Sequence, residues 1–563
     1  VNPQASRWSA NNADGVWLAL DLGAEANVSS VKVVWGKQFG SPYRIETSAN
    51  GTSWTAVTEN LNGADSETVD IPLTDVQTRY IRLFIERRSA TYAMSVWEFE
   101  VWGTWTNGAP EPEPEPVDEE LPAVVPEPVS YTAAEGDPFV LEPDSDIVYQ
   151  GEGAKAEAEK LAETLRVSTG YDLDVVAASD DDVADITLSI NTEAGNGTEE
   201  SYELSAGAEG LTLSSPSAHG LFNGAQTIYQ LFGPFSVADF VTNGPWDVPA
   251  LQISDYPRYE WRAVMLDPAR SFLTVDEIKQ AIDVLSMYKL NVLHLHLTDD
   301  QGWRVEITNE GRVEGDDIDY TRLAEIAGDA AMGTTQYQQN PGIRGYYTQD
   351  DLREIVAYAN AHHIEVVPEV DMPGHSQGIL HAIPQLNSAE SSHDGTVDPK
   401  TGDKIENPAE WICAPAQTTG DVGGSYLDYN NEYTWMFLEH VVKQITDICG
   451  SEYIHIGGDE THQLNTDYPG RAVQFLNKAG DMVREMGLTP IGWNEWASSG
   501  VDLESGDTIQ CWNGQPSAGT ITSSDARIIW SMAQNAYFPQ RPGTNVAGPS
   551  WAGGADGVCN IDD

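Results

Sequence analysis

The chain has 563 residues and carries 29 Lys plus Arg against 88 Asp plus Glu, a formal net charge of -59. Its length exceeds one ordinary core and suggests about three domains, while its charge repels nucleic acid and anionic membranes at long range, which argues against a nucleic-acid partner. The four cysteines, Cys413, Cys449, Cys511 and Cys559, show no CxxC or Cys/His spacing, so no zinc site is expected, and no apolar run reaches the ~18 residues of a membrane span.

The opening residues, "VNPQASRW", lack a basic start followed by an apolar stretch, so any signal or anchor is expected outside this sequence. From Val16 to Trp102 short alternating segments are broken by turns: "VWLALDLG", "VSSVKVVWG", "YRIETSANG", "SWTAVT", "RYIRLFIE" and "VWEFEVWG". Strands of this length and spacing predict a β-sandwich over residues 1–103. Trp54 and Trp97 are expected in its core, which leaves loop aromatics such as Phe39 and Tyr92 to stack on a sugar.

A Pro/Glu alternation, "PEPEPEP", within residues 104–123 predicts an extended, charge-stiffened spacer. Residues 124–254 read as a small α+β domain, with helices at "AKAEAEKLAETLRVSTG" and "SAHGLFNGAQTIYQLFG" and strands at "ADITLSI" and "EGLTLSS". From residue 255 to 563 the rhythm becomes strand then helix. Seven apolar strands, "RAVMLD", "NVLHLHLTDD", "IEVVPEVDMPGH", "YIHIGGDE", "TPIGWNEW", "DTIQCW" and "RIIWSMAQNAYF", alternate with amphipathic stretches such as "VDEIKQAIDVLSMY". Nearly all end in Asp, Glu, His or Trp, which favours a (β/α)8 TIM barrel with chemistry at its C-terminal rim over a doubly wound sheet. The eighth strand is not evident before Asp563, and a further C-terminal segment is expected.

The strand ends contribute Asp267 and Arg270, Asp299 and Asp300, Asp371 and His375, Asp459 and Glu460, Trp493 and Glu495, Trp512, and Tyr537. A single rim carboxylate more often caps a helix or pairs with an arginine than catalyses. Carboxylates, a histidine and several tryptophans around one mouth instead describe a sugar site, where aromatic faces hold the ring and polar groups fix hydroxyls. In "HIGGDE", Asp459 and Glu460 are adjacent. If both lay on a strand they would diverge rather than sit ~5 Å apart as the acid and nucleophile of a retaining pair, so one of them must serve another purpose.

Two resemblances sharpen this reading. "LALDLG", "YRIETSANGTSW", "RYIRL" and "SVWEFEVWG" resemble the discoidin, or coagulation-factor type C, fold, which includes the family 32 carbohydrate-binding modules; that likeness implies a structural calcium whose ligands the sequence does not identify. "WRAVMLDPARSF", "LHLHLTDDQGWR", "PEVDMPGH", "HIGGDE" and "IGWNEW" resemble glycoside hydrolase family 20, the β-N-acetylhexosaminidases, a family of substrate-assisted exceptions to the two-carboxylate scheme. The residues from 124 to 254 look like that family's accessory domain.

The family 20 resemblance implies an exo-acting, retaining enzyme that uses no cofactor for catalysis. Glu460 would be the acid/base. Asp459 would hold the N–H of the substrate's 2-acetamido group while its carbonyl attacks C1, and Tyr537 would bond that carbonyl. Asp299 and His375 would form a relay behind Glu460. Arg270 would bind the sugar's O3 and O4, and Trp493, Trp512 and Trp551 would wall the pocket.

One departure bears on specificity. Where the family pattern has an Asp two positions after the Tyr, this chain has Pro539 followed by Gln540 and Arg541. Loss of a carboxylate near O6 beside an amide donor suggests 6-O-sulfated N-acetylglucosamine as substrate, with Gln540 on the sulfate; a lacto-N-biosidase with a roomier pocket is the alternative enzyme, and a non-catalytic glycan-binding adhesin the alternative of another class. The expected partner is a glycan, as an oligosaccharide or on a mucin-type glycoprotein, met outside the cell by a secreted or surface-attached protein.

Overall fold

The computed structural model describes residues 8–9, 14–89, 95–106, 121–179, 185–334, 341–388, 413–513 and 526–537. It divides into two compact units, Val1–Glu120 and Leu121–Asp563. Tyr92, Pro539, Gln540, Arg541 and Trp551, together with the expected place of an eighth barrel strand, lie outside the described residues.

In the first unit the alternating segments form one antiparallel sheet, ordered Trp8–Ser9, Ser95–Trp105, Val16–Trp35, Thr68–Ile85, Tyr43–Ser48, Thr55–Ala56. "VWLALDLG" and "VSSVKVVWG", expected as separate strands, are one 20-residue strand, because register shifts at Asp21/Ala26 and Val28/Ser30 absorb the residues between them. The period of two buries Val31, Val33, Trp35, Ile45, Ile81 and Leu83 completely. The opposite face carries Trp17, Arg82, Phe84, Arg44 and Glu46. Here the expectation for Trp54 and Trp97 is corrected, since both are half-buried. Trp54 lies 4.3 Å from the Arg82 guanidinium, a cation–π contact on the face of the sheet opposite the core. Phe39 lies outside the strands as expected, half-buried and packed in part against the core.

In the second unit an α+β layer is built on a seven-stranded mixed sheet, ordered Asp174–Ala177, Asp146–Gln150, Ile186–Ile190, Gly210–Ser215, Tyr202–Gly207, Leu251–Asp255, Ser130–Ala133. Helices Ala154–Thr169 and Ala218–Phe232 pack on it through Leu161, Leu165, Leu221 and Ile228, all fully buried. The following seven strands, Ala263–Leu266, Val292–His296, Glu365–Glu369, Tyr453–His455, Thr489–Trp493, Thr508–Cys511 and Arg527–Trp530, pair in parallel and in chain order, as successive staves of a TIM barrel. Thr274 and Thr348 open the helices Val275–Met287 and Gln349–Ala361 with reciprocal capping boxes, closed by Glu277 and Asp351. Each cap is worth about 1 kcal/mol.

Charged ties hold the α+β layer to the barrel. Lys289 is buried and donates to Asp255 Oδ2 at 3.0 Å and Tyr202 Oη at 2.8 Å. Arg262 pairs with Glu200, and His363 lies 3.1 Å from Glu157. A buried lysine left without these acceptors would carry an uncompensated charge, so the tie locks the two layers in register.

Candidate active site

Because parallel strands deliver their C-terminal ends to one side, the polar residues after each strand gather at a common mouth. The loop after Ala263–Leu266 brings Asp267 and Arg270. Arg270 bonds Asp267 Oδ2 at 2.6 Å and Asp299 Oδ2 at 2.8 Å. The same loop is fixed from beneath by Arg304, which is completely buried. All five of its N–H donors reach backbone carbonyls, those of Pro268, Ala269, Gly328, Ala330 and Gly345. Burial pulls the Arg304 guanidinium down to about 10. The sequence offered no signal for this role beyond an arginine after a tryptophan.

Asp299 has four donors around it: Arg270, His296 Nε2 at 2.7 Å, the Asp300 N–H at 2.5 Å and His375 Nδ1 at 3.2 Å. Burial would raise its carboxyl, yet Arg270 and His375 hold it well below the usual carboxylate range. Asp300 faces elsewhere and pins two loops by accepting from Ser425 Oγ and the Gln377 N–H.

His375 is 1% exposed and has φ of 51°, a left-handed conformation that few non-glycine residues adopt. Its Nε2 lies 3.4 Å from Asp459 Oδ2 and 3.4 Å from Glu460 Oε2. Neither contact is aligned as a hydrogen bond, so the imidazole is poised between the two carboxylates. Burial opposes its positive charge, but Asp299, Asp459 and Asp371 raise His375 well above an ordinary histidine.

This geometry corrects the strand argument for Asp459 and Glu460. The strand ends at His455, and Gly457 (φ 65°), Gly458 (φ 97°) and Glu460 (φ 45°) turn the chain so that both carboxylates converge on one histidine instead of diverging. Only glycine fits at 457, because a Cβ there would stand 1.7 Å from Asp371 Oδ1. Asp371 is fully buried and accepts from the Gly458 N–H at 3.3 Å. Burial and the neighbouring Asp459 raise its carboxyl well above the normal range, whereas His375 holds Asp459 below it despite burial.

The aromatic residues divide into two groups. Trp493 is 4% exposed, its Nε1 donates to Glu369 Oε1 at 3.0 Å, and its ring lies 4.8 Å from that of His455. Its ring is thus held in place from the side of the strand residues Glu369 and His455. Trp512 is half-buried and donates to Glu495 at 3.2 Å; burial and Asp459 push the Glu495 carboxyl up to about 7. Tyr537 follows the short helix Ala533–Ala536 and lies within electrostatic reach of Asp459, Glu369 and Arg270. Burial raises its phenol, which stays a hydrogen-bond donor.

His294, Glu369 and His455 stand close enough together to hold a metal ion. Their atoms, however, already meet one another and Trp493: Glu369 has His296 Nδ1 at 2.6 Å, His294 Nε2 at 3.0 Å and the Trp493 N–H at 3.0 Å. This cluster is the part of the site that the motif reading passed over, although "LHLHLTDD" and "YIHIGG" displayed its three histidines at strand spacing.

Comparison with known proteins agrees with this arrangement. Residues 259–555 match the family described as "Glycosyl hydrolase family 20, catalytic domain", residues 121–256 match "Glycosyl hydrolase family 20, domain 2", and residues 2–83 match "NedA-like, galactose-binding domain". A β-N-acetylhexosaminidase of Cellulomonas fimi is 33% identical over 77% of this chain and 78% of its own length. A β-hexosaminidase of Porphyromonas gingivalis is 28% identical over 74% of this chain, which spans 50% of that relative. Among solved structures, the GH20 β-N-acetylhexosaminidase from Streptomyces coelicolor A3(2) aligns with a TM-score of 0.64 and 32% identity over 76% of this chain and 79% of its own. A Streptomyces plicatus β-hexosaminidase in complex with product (GlcNAc) gives 0.64 and 32% over 76% and 78%. With its catalytic barrel, its companion α+β domain and a galactose-binding-type domain ahead of them, the chain belongs to glycosyl hydrolase family 20.

Proposed function

We propose that the protein removes terminal β-linked N-acetylglucosamine from extracellular glycans, using the substrate's own acetamido group as nucleophile. The observation that carries this reading is the convergence of Asp459 Oδ2 and Glu460 Oε2 on His375 Nε2, each at 3.4 Å, with Asp299 behind the ring at 3.2 Å. Two carboxylates that share one histidine serve two different atoms of a single sugar.

In the first step the acetamido carbonyl oxygen attacks C1. The bond from C1 to the leaving oxygen breaks, and Glu460 gives its proton to that oxygen. Asp459, held anionic by His375, accepts the acetamido N–H and stabilises the positive oxazolinium. Tyr537 donates to the carbonyl oxygen and aims it. In the second step Glu460 takes a proton from water, whose oxygen attacks C1 and reopens the ring with retention. Arg270, fixed by Asp267 and Asp299, offers its remaining donors to the sugar hydroxyls, and Trp512 lines the pocket.

The sequence after Tyr537 extends the proposal to 6-O-sulfated N-acetylglucosamine. Pro539 replaces a carboxylate that would repel sulfate, and Gln540 supplies an amide donor. Rates on an aryl β-N-acetylglucosaminide, its 6-O-sulfated form and an aryl lacto-N-bioside test the whole reading. Cleavage of the sulfated sugar in preference, with a selective loss in Gln540→Ala, is expected. Preference for the plain sugar removes the sulfate part, release of the disaccharide alone makes the protein a lacto-N-biosidase, and glycan binding without turnover makes it an adhesin.

A further inference from the structure

The contacts behind the catalytic pair do not end at Asp299. His296, 3% exposed at the end of the strand Val292–His296, has Nδ1 2.6 Å from Glu369 Oε2 and Nε2 2.7 Å from Asp299 Oδ2. Each separation is a short hydrogen bond, and because Asp299 already accepts from Arg270 and the Asp300 N–H and Glu369 from the Trp493 N–H, ionised carboxylates on both sides need an N–H on the ring. An imidazole carries an N–H on both nitrogens only as the cation.

We infer that His296 is a standing imidazolium, clamped between Glu369 and Asp299, and that Glu369 and His296 are positioning residues that set the proton affinity of the relay Asp299–His375. Its positioning role rests on the proposed function; the charged state of the ring does not.

The remaining neighbours of Glu369 support this assignment. Its Oε1 takes the Trp493 N–H at 3.0 Å. His455 Nδ1, 3.1 Å from Oε1, accepts the Gly457 N–H at 3.0 Å and so is engaged by the backbone rather than by Glu369. His294 Nε2 lies 3.0 Å from Oε2 but out of hydrogen-bond alignment, and burial lowers its proton affinity. Of the three histidines around Glu369, only His296 meets carboxylate oxygens at both ring nitrogens. The charged groups that face it are Glu369, Asp299, Asp267 and Asp371, with Arg270 on the same Asp299 oxygen and His294, His455 and His375 nearby. Burial opposes its charge, but Glu369, Asp267 and Asp299 hold it well above an ordinary histidine. Burial would likewise raise the Glu369 carboxyl, yet the surrounding histidines hold it well below the usual range.

The functional consequence is a tuned carboxylate. An Asp299 facing only His375 would bind that histidine's proton so tightly that the ring stayed charged through the cycle. With His296 and Arg270 drawing on the same carboxylate, Asp299 has less charge to lend, and His375 remains able to respond as Glu460 loses and regains its proton.

The test is nitrogen NMR of the full chain labelled with 15N-histidine, between about pH 5 and pH 9, a range spanning the ordinary histidine value, with the His296 signals assigned by their loss in His296→Gln. Two protonated ring nitrogens throughout are expected for His296 in the wild type. In Glu369→Gln the same ring should titrate within the range, kcat should fall roughly tenfold or more, and a new alkaline limb should enter the pH profile of kcat/KM. A neutral His296 ring in the wild type, or a Glu369→Gln profile that is only scaled down, overturns the inference. If neither variant folds, a wild-type spectrum without an imidazolium that persists above pH 8 overturns it equally. If Glu460→Gln proves fully active, the proposed reaction falls while the imidazolium stands, so the two failures are distinguishable.

Discussion

The outer face of the N-terminal sheet and the mouth of the barrel are built from the same parts: carboxylates, cations and tryptophans. On the sheet, Glu46 joins Arg44 at 2.7 Å and Arg82 at 2.5 Å, and the arginines lie over Phe84 and Trp54 with part of each guanidinium in water. Glu46, Arg44 and Arg82 each have an opposite charge in contact. In the barrel Asp299, Asp371 and His375 are each 1% exposed, and Asp371 Oδ2, Asp459 Oδ1 and His375 Nε2 are left without an aligned partner. The first arrangement is closed and adds stability. The second keeps unspent hydrogen-bonding capacity in a low dielectric, where a proton or a substrate N–H arriving later is worth most.

Substitutions can sharpen that contrast, and the largest effect falls at the barrel. Glu460→Gln should lower kcat by about 10²- to 10⁴-fold with little change in melting temperature, because the side chain is partly exposed and approaches His375 at 3.4 Å without an aligned hydrogen bond. Unchanged turnover would remove Glu460 from the chemistry. Arg304→Lys comes next: a lysine offers three donors for five carbonyls, so the loop bearing Asp267 and Arg270 should loosen. Stability is expected to fall by roughly 2–3 kcal/mol and KM to rise more than kcat drops. A rise in KM without loss of stability would place the residue in contact with substrate.

On the sheet, Glu46→Ala should leave turnover untouched and lower only the unfolding free energy of the N-terminal unit, by about 1–2 kcal/mol after allowance for the solvent near both arginines. Parallel loss of activity would show that the two units are coupled. The smallest effect concerns pH. Glu495 is raised to about 7 in the folded chain, above its ordinary value of 4.5. The folded state therefore holds a proton that the unfolded state has released, and stability contributed by this group declines as pH rises from 4.5 through about 7. Glu495→Gln should flatten that slope in thermal unfolding measured across the window, and an unaltered slope would assign the pH dependence elsewhere.

Much of this was legible in the chain because it is local. "LTDD", "DMPGH" and "GGDE" name the residues and the strand ends that carry them, and the capping threonines announce where helices begin. What the sequence concealed depends on neighbours distant in the chain. Trp54 reads as core until Arg82, 28 residues later, is seen to use its ring. The convergence of Asp459 and Glu460 was misread because the period of two fails once glycines take the backbone out of extended geometry. Glu369 reads as one polar residue in an apolar strand, and its meaning appears only when the strands beside it deliver His294, His296 and His455.

The lysine that ties the two layers of the second unit together also limits how the enzyme can be taken apart. Lys289 sits at the close of the barrel's first helix, yet its acceptors, Tyr202 and Asp255, belong to the α+β layer. A barrel expressed from residue 257 onward would expose that ammonium beside unfilled apolar surface, so the accessory layer behaves as part of the catalytic fold. For anyone engineering modular glycosidases, the place to exchange parts is therefore the Pro/Glu-rich segment ahead of residue 121, where the chain divides into its two compact units.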